Sequence, residues 1–400
     1  MTETVACLLL VACLGLCANV AVAAPAVASP AADYTTRLLS CVSGIAADLP
    51  AITAVADKAA ARLVAGGTLW LAGSHRGFIQ EAYVRAGGMM RVKTLAGHVA
   101  ELAPKDVVLV GTLSAESSAD QTLLRDASKA GALVILLAPR NVEGTHLYVS
   151  PHAAEPGEEG VLPVASPALA AAFWTLTGEL VGSLTRLGKM PPMYESVVVP
   201  GGRERNKSHL TLDWEPGTVT PLRPGLLGRR YLERLATCMR RLRKTQMEGF
   251  AEAGRMAAEA LAQGHKAWYV GVGHMPPYEV GQKGDTGLLA PLDSPNTKPE
   301  PVAGKIQAGD VLLYVGYYEP FGPWVETAHA QGARIVTLVS GTPERPAKDM
   351  GADLNLDACW PFGDALVDIR GYDVRILPPS GVMQSAAYWM LQAETRRFVR

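Results

Sequence analysis

The 400-residue sequence predicts an α/β protein with two similar domains, each built around a mainly parallel sheet with helices on both faces. The first observation behind this prediction is a duplication. Two Ala-rich helical runs end at Gly66 and Gly264, and each leads through a Trp-containing apolar run into a turn with Gly and His. The second is that the apolar runs are short, continuous and rich in Val, Leu and Ile, which is typical of strands buried on both faces of a parallel sheet. The third is the length, which allows two domains with a core each.

The helices follow in the same order in both halves. One helix is predicted over about residues 36–65, before a first sheet over about 68–165, and another over about 167–187 closes the first half. A long amphipathic helix over about 228–263 opens the second half, and a last helix over about 382–397 ends it. Such a duplicated order of helices and strands indicates a two-lobed molecule.

The inner strands and the connection between the halves fix the domain boundaries. Asp106 and Asp310 each introduce an apolar run that predicts an inner strand. The connection is rich in Pro, Gly and charge and shows no periodicity. We therefore predict a first domain over 34–190, a linker over 191–227 and a second domain over 228–400.

Charge and motif content argue against several classes of function. The 37 basic residues nearly balance the 38 acidic residues, so no nucleic-acid partner is predicted. The sequence has no dinucleotide-binding fingerprint, P-loop, zinc-protease motif or serine-hydrolase elbow, so no cofactor is predicted. Beyond the N-terminal segment, the three cysteines Cys41, Cys238 and Cys359 are too widely spaced for a metal site or a disulfide framework. No metal is predicted.

The N-terminal segment 1–28 is predicted to be a signal peptide or membrane anchor. Residues 5–28 are almost wholly apolar, and two small-x-small triplets resemble cleavage sites. The positive flank that normally orients such a segment is missing, because Glu3 lies near the start and the first basic residue is Arg37. We expect an extracytoplasmic or membrane-associated protein. The alternatives are a misplaced start or an unstructured extension on a cytoplasmic protein.

Acid–base candidates lie where strands of the predicted sheets end. His75 and His274 follow the Trp-containing strand of each copy, and Glu81 and Glu279 follow one to two helical turns later. Ligands of open parallel sheets bind beyond the carboxyl ends of the strands, so each Glu is expected to line the crevice of the preceding His. A histidine that only caps a loop is the alternative.

Several sequence segments resemble the sugar isomerase (SIS) domain family. The first copy, with Gly73-Ser74-His75-Arg76 and Arg85-Ala86-Gly87-Gly88, resembles the opening of that domain, and the second copy resembles its end through Pro361-x-Gly-Asp364-Ala and Pro378-x-Ser380. The resemblance covers most of 40–190 and 228–397. It implies a three-layer α/β/α domain with a five-stranded parallel sheet in each half. It also implies two halves that dock as such domains dimerise, and activities of phosphosugar isomerisation, elimination or sensing.

The resemblance also suggests where a substrate binds. In the family, hydroxyls and backbone amides of the loop after the Asp-Val strand hold the sugar phosphate. Here Thr112 and Ser114 match the hydroxyl positions, while Glu116 brings an unfavourable negative charge. A plain helix cap by Ser117 or Ser118 is the alternative to an anion site. The preceding loop adds three candidates for substrate binding, namely Gly73, Ser74 and Arg76.

The second copy departs from this pattern. The segment 316–322 carries Tyr and Phe instead of a hydroxyl pair, so the loop has lost phosphate binding or now stacks a sugar ring. Asp364 and Ser380 are further candidates for substrate binding, with a turn aspartate and a helix cap as the alternatives.

We therefore expect binding of a phosphorylated or amino-sugar derivative without catalysis. The alternative is an active sugar-phosphate isomerase or lyase that uses a His and a Glu. The expected partner is a small molecule, and a homodimer and membrane association through the N-terminus stay open.

Overall fold

The architecture comes from a computed structural model, which describes residues 29–144, 146–157, 162–217, 219–293, 298–317, 323–342 and 346–399. The predicted signal segment 1–28 lies outside the described residues, so the expected location stays a prediction. Two five-stranded sheets form the frame of the molecule. The predicted α/β class, with a parallel sheet in each half, is confirmed.

Both sheets have the same strand order, and all their strand pairs are parallel. The first sheet has the order β2-β1-β3-β4-β5. Its strands are β1 (Leu69–Ala72), β2 (Val92–Thr94), β3 (Val107–Gly111), β4 (Leu133–Leu137) and β5 (Leu147–Val149). The second sheet has the equivalent order β7-β6-β8-β9-β10. Its strands are β6 (Ala267–Gly271), β7 (Ala290–Pro291), β8 (Val311–Val315), β9 (Arg334–Val339) and β10 (Leu354–Asp357).

The described residues form ten α-helices. They are α1 (Pro30–Ala47), α2 (Leu49–Val64), α3 (Arg76–Ala82), α4 (Ser118–Lys129), α5 (Ala165–Arg186), α6 (Gly202–His209), α7 (Leu226–Thr245), α8 (Met247–Ala262), α9 (Trp324–Ala330) and α10 (Ser380–Phe398). Within these residues no single helix is both long enough and apolar enough to span a membrane. Helices α1 and α2, which are bent by 62° relative to each other, reach that length and apolarity only as a pair.

Three details of the helix prediction were wrong. The first predicted helix is broken between α1 and α2 because Pro50, in the first turn of α2, has no N–H to continue the hydrogen-bond ladder. The helix predicted to open the second half breaks at Gln246, whose φ is −119° and whose side-chain oxygen accepts a hydrogen bond from Asp357 N at 3.1 Å. The linker, predicted to lack regular structure, contains α6.

The duplication extends to single hydrogen bonds. Asp106 accepts hydrogen bonds from Thr68 N at 2.8 Å, from Ala103 N at 2.9 Å and from Trp70 Nε1 at 3.2 Å. Asp310 accepts the equivalent three, from Lys266 N at 2.9 Å, Gln307 N at 3.0 Å and Trp268 Nε1 at 2.8 Å. Each aspartate therefore fastens the start of its inner strand to the neighbouring strand that carries the Trp.

The two halves exchange their first helices. Helix α1 packs against α10 of the second half, and α7 packs against α5 of the first half. Each exchanged helix has its N-terminus capped by a carboxylate from the other half. Glu394 of α10 accepts hydrogen bonds from Ser29 Oγ and Ala31 N, and Glu179 of α5 accepts them from Gly225 N and Gly228 N. One continuous hydrophobic core therefore runs through both halves.

The paired aspartates give a test of the duplication. Asp106→Asn and Asp310→Asn should each destabilise the fold by roughly 2–3 kcal/mol, because an amide nitrogen would face an N–H donor in a buried site. Urea unfolding should show similar losses for the two variants, while Asp126→Asn on the exposed face of α4 should change the free energy of unfolding by less than about 0.5 kcal/mol. A large loss at one aspartate only would contradict an equivalent role.

Candidate functional site

Two crevices open at the carboxyl ends of the strands. The first lies where the strand order reverses between β1 and β3, and the second lies where it reverses between β6 and β8. The first crevice has a volume of about 510 Å³ and the second about 420 Å³. A larger groove of about 790 Å³ lies between α1, α2 and α7, away from the strand ends. Six of the predicted site residues line the two crevices, and none lines this groove.

Each crevice is completed by the other half of the chain. Arg85, at the end of the α3 region, reaches from the first half into the second crevice. Lys283, which follows β6 in the second half, lies at the first crevice. The two cations hold equivalent positions, four residues after Glu81 and Glu279 respectively. The crevices are therefore sites between the two halves.

His75 is held in a hydrogen-bonded chain that crosses between the halves. Its Nε2 lies 3.1 Å from Ser166 Oγ, and Ser166 Oγ donates to Glu279 Oε1 at 2.6 Å. The side-chain amide of Gln282 lies 3.3 Å from His75 Nδ1. These contacts fit a neutral ring that carries its proton on Nε2. Burial lowers the pKa of His75 to about 4.

Glu279 is fully buried behind this chain. Its second carboxylate oxygen accepts a hydrogen bond from Trp389 Nε1 at 2.8 Å. Burial raises the pKa of Glu279 to about 7, against the hydrogen bonds from Ser166 and Trp389. Although this value suits acid–base catalysis, Glu279 does not line either crevice.

Glu81 holds the equivalent position but has different partners. It accepts a hydrogen bond from Trp174 Nε1 at 3.0 Å and pairs with Arg85 Nε at 3.3 Å. At the place equivalent to Ser166 stands Gly381, where a Cβ would lie 2.1 Å from Glu81 Oε1. The two glutamates are therefore not equivalent in chemistry, because one faces a serine hydroxyl and the other a guanidinium.

Arg85 joins the halves through a buried ion-pair cluster. Its guanidinium pairs with Asp364 at 2.8 Å and also donates to Ser380 Oγ. Asp364 accepts hydrogen bonds from Ser380 N at 3.1 Å and Ser380 Oγ at 2.8 Å. Burial raises the pKa of both Glu81 and Asp364, and Arg85 opposes that effect. One cation among two buried carboxylates favours retention of a proton by the pair.

His274 lies in the second crevice as a neutral ring. Its Nδ1 donates to the backbone oxygen of Gln80 at 3.0 Å, which leaves Nε2 as a hydrogen-bond acceptor. Burial, helped by the charge of Arg85, lowers its pKa to about 3. In the first half, helix α3 follows the histidine. In the second half, a 3-10 turn that contains Pro276 and Pro277 takes the place of that helix.

The loop after β3 uses its hydroxyls internally. Thr112 Oγ1 donates to Ser114 O at 3.0 Å and accepts from Ser114 N at 3.2 Å. Ser117 is the N-cap of α4 and accepts from Asp120 N at 3.3 Å, which confirms the cap alternative for Ser117, while Ser118 is the first residue of that helix. An anion site at Thr112 and Ser114 stays a prediction.

Ser74 is held by the Asp120 carboxylate, and Gly73 is confined by the backbone of β3. Ser74 donates its N–H to Asp120 at 2.8 Å and its hydroxyl at 2.5 Å. Gly73 has φ 122°, and a Cβ there would lie 2.1 Å from Gly111 O, so only glycine fits between β1 and β3. Arg76 is exposed at the edge of the first crevice.

The predicted residues divide between the crevices in a way the sequence did not indicate. Ser74, His75, Arg76 and Ser114 line the first crevice, and His274 and Asp364 line the second. The expected pairing of each His with the Glu of its own copy was wrong, because Glu279 is linked through Ser166 to His75 of the other half. Of the aromatic segment 316–322, Gly316 and Tyr317 are described, and the Tyr317 ring lies 5.6 Å from the Arg85 guanidinium.

Two groups of site residues were missed. Glu155 lines the first crevice, and Arg203 and Lys207 of α6 line the second. The signal for the α6 pair was weak, since the linker lacks apolar periodicity and only the four-residue spacing of the two cations indicates one helix face. Among the residues that the structure describes, no cluster of three or more His, Cys, Asp or Glu could hold a metal ion.

No protein-family model and no curated protein matches this sequence. Among solved structures, the chain is similar to the C-terminal domain of glucosamine-fructose-6-phosphate aminotransferase from Francisella tularensis, at 10% identity and a TM-score of 0.46, over 92% of this chain and 95% of that one. It is also similar to tagatose-6-phosphate ketose/aldose isomerase from Escherichia coli, at 10% identity and a TM-score of 0.45, over 94% of each chain.

The raised pKa of Glu279 predicts a pH dependence of stability. A glutamate titrates near 4.5 when unfolded and here near 7, so its contribution to stability is full below pH 4.5 and is lost as the pH rises through 7. Glu279→Gln, which resembles the protonated acid, should gain on the order of 2–3 kcal/mol relative to the wild type between about pH 5 and 8.

The measurement is urea unfolding of both proteins across that range. His75 titrates identically in the two proteins to a first approximation, so the difference between the curves isolates Glu279. The control Glu233→Gln, on the exposed face of α7, should follow the wild-type curve. If the free energy of unfolding changed with pH in the same way for the wild type and for Glu279→Gln, a raised pKa of Glu279 would be excluded.

Proposed function

We propose that this chain binds a phosphorylated sugar derivative in the second crevice and does not convert it. The observation that carries the proposal is a pair of cations, Arg203 and Lys207, one helical turn apart on α6 at the crevice. Neither has an ion-pair partner within the described part of the chain. A phosphate monoester carries nearly two negative charges at neutral pH, which two such cations would match.

The position of Arg203 supports a role in ligand binding. It lies in the first turn of α6, where the helix dipole disfavours a cation. The N-cap, Gly201, also provides no side-chain cap. A cation at this end of the helix is therefore placed for an anionic ligand rather than for the stability of α6.

The remaining walls suit a sugar. Tyr194, Tyr317 and Trp360 provide aromatic surface on which the C–H face of a sugar ring can pack. His274 Nε2 and the carboxylate of Glu195 provide acceptors for hydroxyl or amino groups. A volume of about 420 Å³ is sufficient for a small ligand of this kind.

Binding is favoured over catalysis because of where the titratable groups lie. Isomerisation needs a group with a pKa near neutrality in reach of the sugar. In the second crevice His274 has a pKa of about 3, and Asp364 is tied to Arg85 and Ser380. Glu279, with a pKa of about 7, is buried outside both crevices.

One observation favours the isomerase alternative. The Nε2 of His274 faces the second crevice without a hydrogen bond among the described residues, so a neutral base is available there. Incubation of the protein with aldose and ketose phosphates in D₂O separates the two functions. We expect no deuterium at C2, and incorporation that His274→Gln abolishes would establish the alternative.

Removing the two α6 cations should weaken binding of sugar phosphates. Thermal shifts should appear with hexose and hexosamine phosphates and be much smaller with the unphosphorylated sugars. Arg203→Ala with Lys207→Ala should raise the Kd by roughly tenfold to a hundredfold, because exposed charge-assisted contacts contribute about 1 kcal/mol each or somewhat more.

The matched control is Arg243→Ala with Lys244→Ala, which removes two cations from the exposed end of α7. This control should bind like the wild type. Equal thermal shifts with phosphorylated and unphosphorylated sugars would refute the proposal. An unchanged Kd in the variant that lacks Arg203 and Lys207 would refute it as well.

A further inference from the structure

The loop between β3 and α4 binds a carboxylate side chain of the protein itself. Glu155, from the segment after β5, accepts a hydrogen bond from Ala115 N at 2.8 Å and lies 3.4 Å from Ser114 Oγ. Arg140 Nε donates to the same carboxylate at 3.1 Å. Glu155 is only 8% exposed, although it lines the first crevice.

These partners are those that bind an anionic ligand. A backbone N–H just before a helix, a small hydroxyl and a guanidinium are the usual donors to phosphate oxygens. Burial on its own would raise the pKa of Glu155, but the contacts with Arg140 and Ala115 N outweigh it and lower the pKa. The carboxylate is therefore ionised at neutral pH, and the loop is filled by a charged group.

The first crevice also has cations that Glu155 does not use. Arg76 and Lys283 line the crevice from opposite halves of the chain, and both are exposed. Neither has an ion-pair partner within the described ranges. Because the crevice is lined by these two cations and by a single carboxylate, Glu155, its net charge is positive, which favours binding of a further anion.

We propose that the first crevice is a latent site for a phosphoryl group and that the Glu155 carboxylate keeps it closed by occupying the donors. A phosphoryl group that enters would take the hydrogen bonds of Ala115 N and Ser114 Oγ and the charge of Arg140. Arg76 and Lys283 would contact its outer oxygens. Of the two loop hydroxyls predicted from the sequence to bind phosphate, Ser114 would do so in the form in which Glu155 has left.

The test uses inorganic phosphate as the probe, in a background that silences the second crevice through Arg203→Ala and Lys207→Ala. In this background the parent protein should show little stabilisation by phosphate. Adding Glu155→Ala should lower the phosphate Kd at least tenfold, measured by thermal shift and calorimetry. Glu155→Gln should gain less, because its amide oxygen still accepts from Ala115 N.

Two further variants locate the gain. Glu116→Gln removes an exposed carboxylate of the β3–α4 loop that lies 4.0 Å from Arg140, and it should raise phosphate affinity far less than Glu155→Ala, because Glu155 still occupies the donors. Adding Ser114→Ala to the Glu155→Ala protein should remove most of the gain. Sulfate and phosphate should compete for the same site in Glu155→Ala.

Each contrary outcome is specific. Absence of a gain in both folded Glu155 variants, a gain that survives Ser114→Ala, or an equal gain in Glu116→Gln would each overturn the proposal. If circular dichroism shows that Glu155→Ala is unfolded, Glu155→Gln carries the same test with a smaller expected shift. Because the α6 cations are absent throughout, the result does not depend on binding in the second crevice.

Discussion

The packing of α5 against α10 is the constraint on which the rest of the structure depends. Both helices are buried on nearly all sides, and each comes from a different half. A helix buried all round must be covered by other helices, and the exchanged α1 and α7 provide that cover. The same requirement places the segments that follow β1 and β6 against each other at the centre. Each crevice is therefore bounded by residues of both halves.

The two crevices have diverged through a few side chains around this centre. Trp174 and Trp389 hold Glu81 and Glu279 in the same way. Ser166 and Gly381 differ, so that Glu279 is linked to a histidine while Glu81 is linked to a buried arginine. The first crevice consequently has a polar relay at its base, and the second has an ion-pair cluster. A duplication that keeps its frame can thus acquire two different ligand chemistries through changes at single positions.

Burial sets the charge states of the titratable groups in and behind the two crevices. Desolvation moves the pKa of His75 and His274 well below neutrality and moves that of Glu279 up to about 7. The cations that remain accessible at the crevices are Arg76, Lys283, Arg203 and Lys207. The crevices therefore combine accessible cations with imidazoles that are neutral at pH 7.

The sequence by itself determined the frame, because short-range patterns specify strands and their order. The apolar runs, the duplicated Asp106 and Asp310, and the turn glycines are local signals. Tertiary structure decided the sites. The partners of His75 lie 91 and 207 residues away in the chain, and those of Asp364 lie 16 and 279 positions away, in α10 and just after α3. The break at Gln246 and the place of Glu155 likewise depend on contacts with distant segments. Such contacts arise only when two halves pack as one core, and no local spacing encodes them.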